Sequence, residues 1–275
     1  MGFNPNAFAI FKINNMINIS SKDNSLIKHI NKLNKSAKYR EKNKEFVAEG
    51  VRLCVDALES GAEFSSLVIS ENALSKYTDE IKKLSQKSDN SYVLVNSLFN
   101  DISNTKTPQG IICIVKALDK PTLFDKMKGS FKILALENIQ DPSNLGTILR
   151  TAEAVGVDGV ILSGDCCDIY SPKVVRGSMG AVFRIPFSVV ESIEDFVSNH
   201  KSITSYASVV DSNALKITDV KFDDTSVLVI GNEGNGIKKS TVDKCDYKIT
   251  IPMNGRAESL NASAAAAILI WEMIK

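Results

Sequence analysis

Three short runs carry side chains whose types and spacing could do chemistry. The first is Asn144-x-Gly146-x-x-x-Arg150, an amide and a guanidinium on one segment. The second runs from Gly231 to Gly236, with Glu233 set among glycines. The third runs from Ile251 through Met253 to Ser259, Leu260 and Asn261. A guanidinium can clamp an anionic oxygen in a fork but will not act as a base. Glycines after an apolar strand allow close backbone approach, to a ligand or to another chain segment. A carboxylate in such a turn is placed to meet a polar partner. The glycine spacing is neither a dinucleotide fingerprint nor a phosphate loop. The only histidines, His29 and His200, lie far apart in polar, helix-like contexts. That disfavours a histidine metal site and a Ser-His or Cys-His nucleophile, so no metal is expected.

The elements that must position these groups follow from periodicity. Asp141 is a good helix N-cap with Pro142 at the first position. Leu145, Ile148, Leu149, Ala152 and Val155 then share one helical face. Arg150 points about 165° away from that face, so it does not hold the helix to its own sheet. An ordinary exposed arginine is the plain alternative for Arg150. The turn at Gly231 could likewise be only a tight turn. The alanine-rich segment after Asn261 could be only a helix of high propensity, though that leaves the Pro, Gly and polar cluster before it unexplained.

Apolar runs at Lys132–Glu137, Gly159–Leu162, Phe183–Pro186, Ile203–Ser208, Ser226–Ile230 and Tyr247–Ile251 predict strands. Most are continuous, as in strands covered on both faces, so the second half reads as a mostly parallel α/β sheet. Ligands in such sheets sit beyond the carboxyl ends of the strands, where the three runs fall. The first half reads as a smaller α/β domain. Strands are expected near Phe46, at Ser66–Ser70, Tyr92–Val95 and Ile111–Val115, with a helix at Thr78–Ser88 and short helices before Gly61 and Ser103. The expected domains are an extension over residues 1–20, a small domain over 21–118, a linker over 119–130 and a larger domain over 131–275. The segment Met1–Ile19 lacks a cationic start and a cleavage site, so no secretory signal is read, and Met16 is an alternative start.

Bulk properties bound the function. The 275 residues are 44% hydrophobic, and no apolar run is long enough to cross a bilayer. Five cysteines with no CxxC pair fit a reduced, cytoplasmic setting. Net charge is only +1, yet Lys22, Lys28, Lys32, Lys35, Lys38, Arg40, Lys42, Lys44 and Arg52 crowd one early segment. That patch suits a phosphate backbone, or is a solvated lysine-rich helix face. Lys32, Lys35, Lys38 and Arg40 are the candidate contacts to such a backbone.

In order and content, the three runs resemble the signature motifs of the SpoU/TrmH branch of the SPOUT methyltransferases. The matching residues are Asn144, Gly146 and Arg150; Gly231, Glu233 and Gly236; and Ile251, Met253, Ser259, Leu260 and Asn261. The stretch from Lys173 to Ala181 resembles a further region these enzymes share. The resemblance covers nearly the whole chain after about Ser25, more loosely in the basic first half. Many relatives carry Gly where this chain has Ser143.

The resemblance implies a deep trefoil knot at the C-terminus, an exception to the rule against knots. It implies a ribosomal-protein-like α/β substrate-binding domain before it, and a homodimer with sites at or near the interface. S-adenosylmethionine would be held largely by backbone at Gly231, Ile251 and Leu260, with Met253 flanking the adenine. The reaction would be methylation of a ribose 2′-hydroxyl in RNA, ribosomal RNA before transfer RNA. Arg150 would orient an RNA phosphate and stabilise charge on the attacking oxygen. Asn144 and Glu233 would position Arg150 or the ribose; Ser259 and Asn261 would hold the reacting groups. The competing readings are a non-catalytic ribosome-associated RNA-binding protein, a base methyltransferase and an enzyme of small molecules.

Overall fold

A computed structural model describes residues 16–118, 127 and 129–275. The first fifteen residues of the expected extension and most of the expected linker lie outside the described residues. Two compact units divide at Leu118. The first ends there and also takes Tyr170–Pro172; the second holds the rest.

The first unit is built on a five-stranded sheet of order β1-β4-β3-β5-β2: β1 Ile17–Ile19, β2 Glu45–Glu49, β3 Phe64–Ser70, β4 Ser88–Leu94 and β5 Ile111–Lys116. β1 pairs in parallel with β4, so the expected extension is corrected at its end: Ile17–Ile19 belongs to the sheet. The edge of β4 supplies the pairing partner that local sequence does not reveal. Helix Ser25–Lys35 buries Ile27, Ile30 and Leu33 and turns Lys28, Lys32 and Lys35 to solvent, the spacing of one helical face. Lys38 is also exposed.

Arg40 is not on that surface, which corrects the expected RNA-binding set. It is buried on helix Ala37–Asn43 and donates from Nη1 to the carbonyl of Leu33. Leu33 lies in the last turn of the preceding helix, where carbonyls have no intrahelical donor. Arg40 supplies one and so joins two helices.

The second unit is a seven-stranded sheet of order β10-β12-β9-β11-β6-β7-β8, and every pairing in it is parallel. The strands are β6 Phe131–Leu136, β7 Gly159–Ser163, β8 Phe187–Val190, β9 Thr204–Ser208, β10 Leu215–Lys216, β11 Thr225–Ile230 and β12 Tyr247–Thr250. One face packs Ile133, Ala135, Val227, Val229 and Ala207 against Ile193, Phe196, Val197 and Val242. The alternate residues Leu134, Leu136, Leu228 and Ile230 are equally buried on the other face. There helix Ala262–Ile274 packs on β6, β11 and helix Pro142–Val155. Burial on both faces explains the continuous apolar runs.

The strand expected at Phe183–Pro186 is a correction. Ala181–Arg184 is a short helix, and β8 begins only after Pro186. Pro186 has no amide hydrogen for the ladder but its carbonyl accepts from Val160 N at 2.9 Å. A short apolar run does not distinguish strand from buried helix by periodicity. No described helix is long and apolar enough to cross a membrane.

Candidate active site

The parallel register brings Leu136 beside Ile230, so the loops leaving β6 and β11 emerge side by side. The loop after β6 runs into helix Pro142–Val155, capped by Asp141, whose carboxylate accepts from Ser143 N at 2.8 Å. That backbone hydrogen bond, with Lys173 nearby, holds the Asp141 carboxyl below its ordinary range. After β11 the chain folds back on itself. Asn232 and Gly236 exchange backbone hydrogen bonds at 3.0 and 2.9 Å, and Asn232 Oδ1 accepts from the amides of Gly234 and Asn235. A Cβ on Gly231 would lie 2.2 Å from the carbonyl carbon of Gly236, so only glycine fits. Asn232 Nδ2 also donates to the carbonyl of Asn138 at 2.9 Å, tying this turn to the loop after β6.

The three signature runs meet through one side chain. Asn144, 6% exposed on the first turn of its helix, donates from Nδ2 to Glu233 Oε1 at 2.7 Å. Its Oδ1 accepts from Asn261 Nδ2 at 3.0 Å. Asn261 in turn caps helix Ala262–Ile274, its Oδ1 accepting from Ser263 N at 3.0 Å and from the Ser263 hydroxyl at 2.6 Å. An amide can donate at one end and accept at the other, which is what a central residue between a carboxylate and a second amide requires.

Beside this junction lies a cavity of about 490 Å³. The turn Gly231–Gly236 forms one wall; Ile251, Met253, Ser259 and Leu260 form another. All the candidate cofactor residues, with Glu233 and Ser259, therefore share one pocket. Asn144, Asn261 and Arg150 are not among its walls; Asn144 and Asn261 join it through the hydrogen bond to Glu233. Arg150 is exposed, with no hydrogen bond or ion pair among the described residues. It lies six residues beyond Asn144, about 9 Å along the axis and about 120° around it.

Several participants were not singled out from the sequence. Ser208, Val209 and Val210 line the pocket because β9 lies between β11 and β12, so its carboxyl end emerges between the two loops. Glu258 also lines it. Glu137, 2% exposed at the end of β6, accepts from Lys238 N and the Thr241 hydroxyl, both at 2.7 Å. An acid closing an apolar strand was the available hint. Glu137→Ala leaves a buried amide and hydroxyl without that acceptor, and should cost about 1–3 kcal/mol in urea unfolding, with Glu137→Gln losing less. Near the junction, burial and then the neighbouring Cys166 and carboxylates push the Cys167 thiol up to about 12, so it stays neutral near pH 7.

The second unit, over residues 132–271, matches the model of the SpoU rRNA Methylase family. Residues 24–113 match the MRM3-like substrate binding domain. A relative from Bacillus subtilis, the 23S rRNA (guanosine(2553)-2'-O)-methyltransferase RlmP, is 29% identical over 94% of this chain and 99% of its own length. An AdoMet-bound rRNA methyltransferase from Sinorhizobium meliloti superposes with a TM-score of 0.85, at 28% identity over 94% of this chain and 97% of that one. The SpoU methyltransferase AviRb from Streptomyces viridochromogenes, in complex with AdoMet, gives 0.81 at 26% identity, over 91% and 97% of the two chains. The family model spans half of the chain and includes every residue of the pocket and its hydrogen-bonded junction, and the chain belongs to the SpoU rRNA methylase family.

Proposed function

We propose that this chain transfers a methyl group from S-adenosylmethionine to a ribose 2′-hydroxyl of ribosomal RNA. The observation that carries this reading is the Glu233–Asn144–Asn261 junction beside a glycine-cradled pocket. The pocket suits the methyl donor in its chemistry. Gly231 leaves room for backbone approach where any Cβ would collide. Ile251, Met253 and Leu260 offer apolar surface to an adenine, and Ser208, Ser259 and backbone groups offer polar contacts. When bound, the donor supplies a methyl already activated by a cationic sulfur, so the protein's task is alignment.

Asn144 holds the Glu233 carboxylate and the start of the last helix in register, which fixes the two pocket walls against each other. Arg150 binds a phosphate or the developing negative charge on the ribose oxygen, in a bidentate fork that needs no proton transfer from the guanidinium. Its position beyond and around the helix from Asn144 supports delivery to the site of a second copy. Ile268 and Trp271 on the last helix, 41% and 60% exposed, offer apolar surface for such a homodimer. The insertion of β11 between β6 and β9, and of β12 between β9 and β10, supports the trefoil knot. Ribosomal RNA is preferred because the similar proteins above are named as rRNA methyltransferases. The cytoplasm is the proposed setting.

Labelled methyl transfer to separate ribosomal and transfer RNA pools, followed by nucleoside analysis, tests the reading. A 2′-O-methylated nucleoside confined to ribosomal RNA is expected. Transfer to neither pool removes the enzymatic reading and leaves a non-catalytic RNA-binding protein; transfer to a base corrects the acceptor. On the first unit, Lys32, Lys35 and Lys38 remain an exposed basic set. Reversing all three to Glu should weaken RNA binding and lower the slope of log affinity against log salt by about one per lost phosphate contact. An unchanged slope would place RNA on a different surface.

A further inference from the structure

The pocket has an unbalanced charge. Its walls include two carboxylates, Glu233 and Glu258, and no Lys, Arg or His. Glu233 is held by Asn144 at 2.7 Å. Glu258 makes no hydrogen bond or ion pair among the described residues, so nothing in its own fold accounts for its charge at this wall. Much of the surrounding surface is apolar: Val209, Val210, Ile251, Met253 and Leu260. A carboxylate beside apolar walls is less screened on the pocket side than on the solvent side, and its field falls on the occupant.

We infer that Glu258 is a specificity residue that separates the cationic methyl donor from its neutral demethylated product. This rests on the cofactor reading proposed above. S-adenosylmethionine and S-adenosylhomocysteine share the adenosine and the amino-acid end; they differ by one methyl and one positive charge on sulfur. Contacts to the shared parts bind both equally and give no preference. A negative charge on the pocket wall acts on that difference. It favours the donor before transfer and loses its hold once the sulfur is neutral, so the spent molecule leaves and the site does not clog with product. Glu258 is exposed, and solvent screening limits the expected preference to about three- to ten-fold.

Calorimetric titration of the full chain with S-adenosylmethionine, S-adenosylhomocysteine and sinefungin tests this; sinefungin places an ammonium beside the position of the sulfonium. In the native chain the two cations should bind more tightly than the neutral product, and the margin should shrink in 1 M salt. In Glu258→Gln the margin should fall by about three- to ten-fold, through weaker binding of the cations, while affinity for the neutral product holds. Glu258→Lys should reduce it further. Both variants change an exposed loop residue, and their melting temperatures should match the native chain. An unchanged ratio, or an equal loss for all three ligands as expected if Glu258 bound the ribose hydroxyls, overturns the inference and leaves the cofactor reading standing. A native chain that binds none of the three overturns the cofactor reading, and the inference falls with it.

Discussion

Arg150→Ala should reduce RNA methylation by about 10²–10⁴-fold while S-adenosylmethionine affinity stays within about two-fold. The two halves of that expectation come from different observations. Arg150 is exposed and makes no hydrogen bond or ion pair among the described residues, so truncating it breaks no internal polar contact. Surface changes of this kind usually shift stability by less than about 0.5 kcal/mol. Nor does Arg150 line the pocket proposed for the cofactor, so binding there should be unaffected. What is lost is a permanent charge with a planar fork. Arg150→Lys keeps the charge without the fork and should recover only part of the activity. Full activity in Arg150→Ala would remove Arg150 from the mechanism.

Gly231→Ala should act on the other half of the site. The added Cβ would meet the Gly236 carbonyl carbon at 2.2 Å, Ile237 N at 2.3 Å and Gly236 O at 2.4 Å. These are backbone atoms, so no side chain can move aside. The turn must open, and the paired hydrogen bonds between Asn232 and Gly236 must break. A loss of about 2–4 kcal/mol in unfolding free energy is expected, together with at least a tenfold loss of S-adenosylmethionine binding. Gly234→Ala is the control. Its Cβ would meet only Asn232 Oδ1, at 3.5 Å, an ordinary contact, and it should change little. Similar behaviour of the two variants would mean that the turn does not shape the pocket. Mixing the two defective chains tests the dimer: Arg150→Ala retains a sound pocket, and Gly231→Ala retains the arginine. If Arg150 serves the partner's site, mixed dimers regain activity at one site; if it serves its own, mixing restores nothing.

Much of this was legible from the chain alone, wherever the physics is local. Periodicity placed Leu145, Ile148, Leu149 and Ala152 on the buried face and Arg150 on the exposed one, because helix geometry depends only on spacing. Asp141 with Pro142 announced a helix start for the same reason. Continuous apolar strands announced a sheet covered on both faces, and glycines after β11 announced a close backbone approach. The order of the three runs carried the family resemblance and with it the pocket residues. Tertiary structure decided the rest, because it depends on neighbours distant in sequence. Asn144 reaches Glu233 across 89 positions and Asn261 across 117, and no local pattern records such a partnership. Ser208–Val210 joined the pocket only because β9 lies between β11 and β12. Arg40 left the basic surface because the Leu33 carbonyl needed a donor. Phe183 joined a helix because Pro186 delays the strand that follows. Side-chain type and spacing thus determined which groups could act, while strand order and the demand to satisfy buried polar atoms decided which of them stand together.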